Sequence, residues 1–194
     1  MEGFRLVGGT ALSLQLGHRI SVDIDLFTDS TYGTVDFIPI YNRLVKTYPY
    51  IIGKAPDNIG FGFSFIIGKS KTESVKLDLF YSDTFLFPPV VYQDIKMADL
   101  RDITVMKLDV ISHGGRKKDF WDISELLETI SFEQMLDLYI LKYPYFEKSD
   151  VINNMSNFIY ADEMQDPVCL RFKYWELIKI DLEDLVRKYL SKSS

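Results

Sequence analysis

The chain has 194 residues, enough for one large or two small domains, and its 47% hydrophobic and 14% aromatic content excludes a disordered chain. A formal charge of −6 and a pI near 5.0 exclude a global basic field for nucleic acid, leaving local patches such as Arg116, Lys117 and Lys118. One cysteine, Cys169, excludes an internal disulfide, and with no signal-peptide pattern or bilayer-length apolar run a cytoplasmic protein with no membrane partner is expected.

In chain order, a short apolar run at residues 4–7 is broken by Gly8 and Gly9. A helix-compatible segment follows over 10–16, and Gly17, tolerant of positive φ, stops it. Residues 22–27 then alternate strictly. Val22, Ile24 and Leu26 share one side, and Asp23, Asp25 and Phe27 the other, so the two carboxylates project from one face roughly 7 Å apart. Carboxylates held that close repel unless a cation sits between them, and hard oxygen ligands in a rigid pair suit Mg²⁺. Glycines let backbone approach a phosphate, and a helix N-terminus offers free N–H groups at a positive dipole end. A Gly-Gly turn alone is commonplace, and so is a solvated Asp-x-Asp. Their succession in one short stretch points to phosphoryl transfer.

Residues 28–33 read as a loop, and 35–47 as a helix whose first turn is re-aimed by Pro39. A short extended run at 50–52 leads to a turn through Lys54, Ala55, Pro56, Asp57 and Asn58. Residues 61–67 alternate as a strand, 68–71 make a hairpin-like connection, and 74–80 form the partner strand. After Pro88 and Pro89, residues 90–92 suit an edge strand. From Met97 the period changes from two to about 3.6. Helices are expected over 99–112, ended by His113, Gly114 and Gly115, then over 116–130, 132–141, 148–158 and 171–190. A strand-rich first half and a helical second half imply an α+β fold: a mixed sheet with flanking helices over 1–96, followed by a helical domain over 97–194 that completes a nucleotide and acceptor cleft.

Polar residues inside these elements supply the remaining candidates. Asp78 interrupts a run suited to a buried strand, where a carboxylate is costly unless paired or metal-bound. It reads either as a neighbour of Lys76 on a face turned to water, or as the third carboxylate beside Asp23 and Asp25 in a two-metal site. Lys107, between Met106 and Leu108, either snorkels to the surface or offsets the charge of a triphosphate. Lys118 and Asp122 stand four apart on a helix, with Asp119 between them. They are an ordinary surface pair or a phosphate-binding, acceptor-orienting set. His18 and Arg19, with Ser21, suit substrate contact or anchoring of the turn. His113 reads as a helix C-terminal residue and Cys169 as core, and no histidine spacing suggests zinc.

Gly8-Gly9-Thr10-Ala11-Leu12 followed by Gly17-His18-Arg19-Ile20-Ser21-Val22-Asp23-Ile24-Asp25-Leu26-Phe27 resembles the AbiEii/AbiGii toxin family of nucleotidyltransferases, in the DNA polymerase β-like superfamily. Asp78 in Lys-Leu-Asp-Leu-Phe, Lys107 after Met106, and Lys118-Asp119-Phe120-Trp121-Asp122-Ile123 extend the likeness as far as Tyr143. The resemblance implies that Gly8, Gly9 and Thr10 open a nucleotide site also touched by His18, Arg19 and Ser21. It implies that Asp23, Asp25 and Asp78 hold Mg²⁺, two ions in the usual arrangement, with Asp78 drawing the proton from an attacking hydroxyl. Lys107 would stand near the phosphates of an NTP, and Lys118, Asp119 and Asp122 would form a later motif required for toxin activity. A tRNA, another RNA or a protein would be the acceptor, in a toxin–antitoxin or phage-defence system with an antitoxin partner. The helix that leads into the first strand in the family is missing or truncated here.

The expected activity is therefore Mg²⁺-dependent transfer of an NMP onto an acceptor hydroxyl. A catalytically silent nucleotide-binding module acting through a protein partner is the alternative. A haloacid-dehalogenase-type phosphatase also uses Asp-x-Asp, but Arg19, Ile20 and Ser21 before the pair fit it poorly.

Overall fold

The computed structural model describes residues 3–56 and 60–192. Asp57 and Asn58 of the expected turn lie outside them. The elements run β1 (Arg5–Val7), α1 (Gly8–Leu16), β2 (Ile24–Thr28), α2 (Phe37–Thr47), β3 (Tyr50–Ile52), β4 (Gly62–Gly68), β5 (Ser74–Tyr81), β6 (Val90–Tyr92) and β7 (Ile95–Met97). Helices follow: α3 (Leu100–Ser112), α4 (Lys117–Leu126), α5 (Phe132–Lys142), α6 (Lys148–Asn154), α7 (Ile159–Asp162) and α8 (Trp175–Lys192). Two compact units result. One holds residues up to Ala11 together with Ser21–Ala98, and the other Leu12–Ile20 with Asp99–Ser194. The boundary falls inside α1, an excursion that no composition shift in the sequence advertises.

Among the described residues of the first unit, seven strands form one mixed sheet in the order β3-β4-β5-β2-β1-β7-β6. β2 lies antiparallel to β1 and parallel to β5, and β5 is antiparallel to β4. Period-two alternation sorts the faces. Leu77 and Leu79 of β5, Phe65 and Ile67 of β4, and Ile24 and Leu26 of β2 pack with Phe37 and Leu44 of α2 in one apolar cluster. Asp36 caps α2, its carboxylate accepting from the Ile38 N–H at 3.0 Å. Pro39 is tolerated in the first turn, where a backbone N–H has no helical partner to lose.

In the second unit α3 packs against α4, α5 and α6, and α4 packs against α8. Ile103, Leu108, Ile111, Phe120, Ile123, Leu126, Leu136 and Leu182 are fully buried among these helices. Asp99 caps α3, and Ser131 with Gln134 forms a reciprocal capping box on α5.

Several boundaries differ from the sequence expectation. Strand β2 begins at Ile24, so Asp23 precedes it. Strand β7 was not expected: Gln93 and Asp94 both adopt positive φ, 46° and 65°, in a two-residue hairpin without the usual glycine signal. The helix expected at 148–158 ends at Asn154, and α7, not expected, follows at Ile159–Asp162. Helix α8 starts at Trp175 rather than 171; Arg171 and Lys173 turn instead onto Glu125 of α4 and Glu128 just beyond its end. Cys169 is not core. It is half-buried, bridges to Arg19 along the backbone, and accepts from the Arg171 N–H at its Sγ.

Candidate active site

The first unit contributes a carboxylate face. In the parallel register of β2 and β5, Asp25 stands directly opposite Asp78. Their strand neighbours Ile24, Leu26, Leu77 and Leu79 belong to the apolar cluster, so both carboxylates lie on the other face of the sheet. Phe27 and Phe80, also paired in register, meet edge-on at 6.0 Å on that face. Asp78 is mostly buried, and its Oδ1, shielded from solvent, has no hydrogen-bond partner among the described residues. Its Oδ2 receives the ammonium of half-exposed Lys76 at 2.6 Å. This hydrogen bond, against a smaller desolvation cost, raises the Lys76 pKa, and the charges of Asp25 and Asp23 act in the same direction. The ammonium is thus within the field of all three carboxylates.

Gly8 sets the approach to this face. It adopts φ +67°, and a Cβ built there would stand 2.5 Å from Asp25 Oδ2. Any side chain at position 8 would collide with the carboxylate while strained in its backbone. Gly9 and Thr10 continue into α1. The Thr10 hydroxyl donates to the Asp23 carbonyl and lies 3.0 Å from the Ser21 hydroxyl, tying the start of the helix to the residues that lead into β2.

All-oxygen donors, a glycine that leaves room beside Asp25, and an unpartnered carboxylate oxygen on Asp78 fit Mg²⁺, which takes one or two protein carboxylates and keeps other positions for water and phosphate. No three His, Cys, Asp or Glu side chains among the described residues converge closely enough to hold a metal ion by themselves, so water and phosphate would have to complete its coordination.

The second unit contributes a closed ionic network. Asp122, fully buried, accepts from His18 Nε2 at 2.8 Å and Arg19 Nε at 2.6 Å on Oδ1. On Oδ2 it accepts from Arg19 Nη2 at 2.8 Å and Lys107 Nζ at 2.7 Å. Lys107 also donates to Asp119 Oδ1 at 2.6 Å, and Arg116 closes onto Asp119 Oδ2 at 2.9 Å. Burial alone would push the Asp122 carboxyl up, but Lys107, His18 and Arg19 hold it far below the usual carboxylate range. Asp119 is lowered likewise by Lys107 and Arg116 against its burial, and the two carboxylates outweigh desolvation to raise Lys107.

Lys107 therefore does not snorkel. His18 and Arg19 are buried anchors of the turn after α1, which Arg19 also secures by accepting from the Ser13 hydroxyl at its carbonyl. The basic run at 116–118 is not an open patch either: Arg116 serves Asp119, while Lys117 pairs with Asp166 at 2.9 Å and lies over the Trp175 ring. Lys118 is half-buried on α4. His113 caps α3, as expected, with Nδ1 2.8 Å from the Asp109 carbonyl.

A family model described as nucleotidyl transferase AbiEii toxin, type IV TA system, matches residues 1–172. The chain belongs to that family. The AbiEii match runs through both compact units and ends just before α8. Over 195 residues, 96% of this chain and 88% of the relative, the chain is 26% identical to the uncharacterized protein aq_aa25 of Aquifex aeolicus (strain VF5). Among solved structures its fold is similar to JHP933 from Helicobacter pylori, with a TM-score of 0.61, 19% identity, and 98% and 86% of the two chains covered. It is also similar to MenT4, a nucleotidyltransferase toxin from Mycobacterium tuberculosis H37Rv, with a TM-score of 0.50, 10% identity, and 95% and 75% covered. At those identities the structural likeness speaks for the fold alone. The AbiEii nucleotidyltransferase assignment rests on the family match. No helix among the described residues is long and apolar enough to cross a membrane.

Sequence reasoning gave Lys76 no part in the site, because Lys-x-Asp on a strand is an ordinary same-face pair. Its only signal is the spacing of two that puts it on the face of Asp78.

Proposed function

We propose that the face carrying Asp23, Asp25 and Asp78 is the centre of an NMP transfer from an NTP to an acceptor hydroxyl, with an RNA such as tRNA as the preferred acceptor class. The observation that carries this is the parallel register that sets Asp25 opposite Asp78, with Gly8 leaving the space beside Asp25 open. In this reading the hydroxyl oxygen attacks the α-phosphorus, the bond to the bridging oxygen breaks, and pyrophosphate departs. Asp78 accepts the proton of the attacking hydroxyl on its carboxylate. Asp23, Asp25 and Asp78 would hold Mg²⁺, two ions in this reading, which would supply positive charge against the growing charge on the phosphate oxygens. Gly8, Gly9 and Thr10 present the N-terminal N–H groups of α1 to the triphosphate, where the dipole end favours an anion.

Within the helical unit the same reading gives Lys107, Lys118, Asp119 and Asp122 a supporting part. Two carboxylates, outweighing the cost of burial, keep Lys107 charged and in place. In this reading the partner class is an antitoxin, and the activity serves a toxin–antitoxin or phage-defence system; the type IV TA family match supports it.

The test is label transfer from each α-³²P-labelled NTP to total RNA and to purified tRNA in the presence of Mg²⁺. The protein labels one RNA class and Asp25→Ala labels none. Equal labelling by Asp25→Ala refutes the assignment of the site.

A further inference from the structure

Asp78 offers its two oxygens unequally. Oδ1 is shielded from solvent and has no hydrogen-bond partner among the described residues, whereas Oδ2 is already held by the Lys76 ammonium at 2.6 Å. The ammonium is fastened at one end only. Its side chain is half-exposed, on a flexible four-carbon stem that can swing into water, while Asp78 is fixed by strand pairing on both sides, to β2 and to β4. Lys76 also feels the charges of Asp25 and Asp23. All three carboxylates thus act on one monovalent cation, and that cation is the chain's own.

We propose that Lys76 is a resident counter-cation of the carboxylate face, and that a divalent ion reaching Asp78 does so by exchange with it. This rests on the metal-binding reading given above. A hard divalent ion needs an oxygen of Asp78 at about 2.1 Å. Whichever oxygen of Asp78 takes the ion, the ammonium held on Oδ2 of the same carboxylate stands close to it, and two cations that close repel each other strongly. The lysine therefore leaves as the ion arrives. Before that it spares Asp25 and Asp78 much of their mutual repulsion. Exchange also sets a threshold: metal binds more weakly than three bare carboxylates would allow, so the face fills more readily when an additional anion, such as the phosphates of a nucleotide, arrives with the ion.

The experiment uses the full chain and Mn²⁺ as the probe, with free ion read by electron paramagnetic resonance. Lys76→Met keeps the length of the stem and removes the charge; Lys76→Arg keeps the charge. Expected is a Mn²⁺ Kd lower by about three- to tenfold in Lys76→Met and close to the natural value in Lys76→Arg. Acetylation of the Lys76 amine, followed by mass spectrometry, should rise when Mn²⁺ saturates the natural protein and stay constant in Asp25→Asn. Equal or weaker Mn²⁺ binding by Lys76→Met overturns the exchange and leaves the metal-binding reading intact. Absence of Mn²⁺ binding in both the natural chain and Lys76→Met overturns the two together.

Discussion

Lysine meets aspartate in both halves of this chain, and the surroundings make the two meetings different devices. Lys76 reaches Asp78 from a strand face, with half its side chain in water. Lys107 reaches Asp119 and Asp122 from inside a helical core, with His18, Arg19 and Arg116 filling the remaining positions around the carboxylates. The distances are nearly the same, 2.6 Å for Lys76 and 2.6 and 2.7 Å for Lys107. What differs is how many partners each carboxylate has and whether water can replace them. Asp122 has its lone pairs committed to protein donors. Asp78 has one donor on Oδ2 and none among the described residues on Oδ1. A carboxylate with spare acceptor capacity on a face that also carries Asp25 is suited to bind something; one with none is suited to hold the fold.

The comparison breaks most visibly at Asp78. Asp78→Asn removes the proposed proton acceptor, and label transfer should fall by about 10² to 10⁴-fold, the usual worth of a positioned general base. Its thermal melt should stay close to that of the natural chain, because the substitution also relieves repulsion with Asp25. A large loss of stability with transfer preserved would reverse the roles assigned to the two sets.

Asp122 should behave in the opposite sense. Asp122→Ala strands Lys107, Arg19 and His18 around a missing partner, and breaking a buried pair in this way costs about 3–5 kcal/mol. For a chain of this length that corresponds to a melting temperature lower by roughly 6–20 °C, measurable by calorimetry. The acid limb of the stability curve adds a second signature. Asp122 and Asp119 have folded pKa values depressed below their ordinary 3.8. Their contribution is therefore fully present above that value and is lost as pH falls below it toward the folded pKa, at about 1.4 kcal/mol per pH unit for each group. Denaturant melts between pH 6 and pH 2.5 should show this slope, shallower in Asp122→Asn. An unchanged slope would mean that the network does not govern acid unfolding.

These contrasts show how far the sequence could be read. Strict alternation in residues 22–27 assigns Asp25 to the polar face of its strand, since that signal needs only a window of six residues. Asp78, interrupting an apolar run at 74–80, reads instead either as a water-facing neighbour of Lys76 or as a third carboxylate of the site. That the strands are parallel neighbours is a matter of topology, carried at the sequence level by resemblance to a family. His18 and Asp122 are separated by 104 positions, and no local pattern records that they meet. For the same reason Lys107 was balanced between surface and site: an apolar helical stripe cannot tell whether a lysine within it exits to water or finds buried carboxylates. Strand β7 escaped because Gln93 and Asp94 take left-handed φ without the Asn-Gly or Asp-Gly cue that normally marks such hairpins.

The smallest expected effect sharpens the comparison most directly, because it sets two lysines against each other under one substitution. Lys107→Met leaves Asp119 and Asp122 buried and short of a cation, and should lose several kcal/mol in denaturant melts, about the 3–5 expected for breaking a buried pair. Lys76→Met removes a pair with one half-exposed member, the class worth about 0–1 kcal/mol. Water can take over the outward side of Asp78, so its fold stability should change by less than about 1 kcal/mol. Two ammonium groups at the same distance from a carboxylate would then differ severalfold in what they contribute. Should Lys76→Met prove as damaging as Lys107→Met, Lys76 would be a structural tie, and the carboxylate face would be a second closed network with nothing left to offer a ligand.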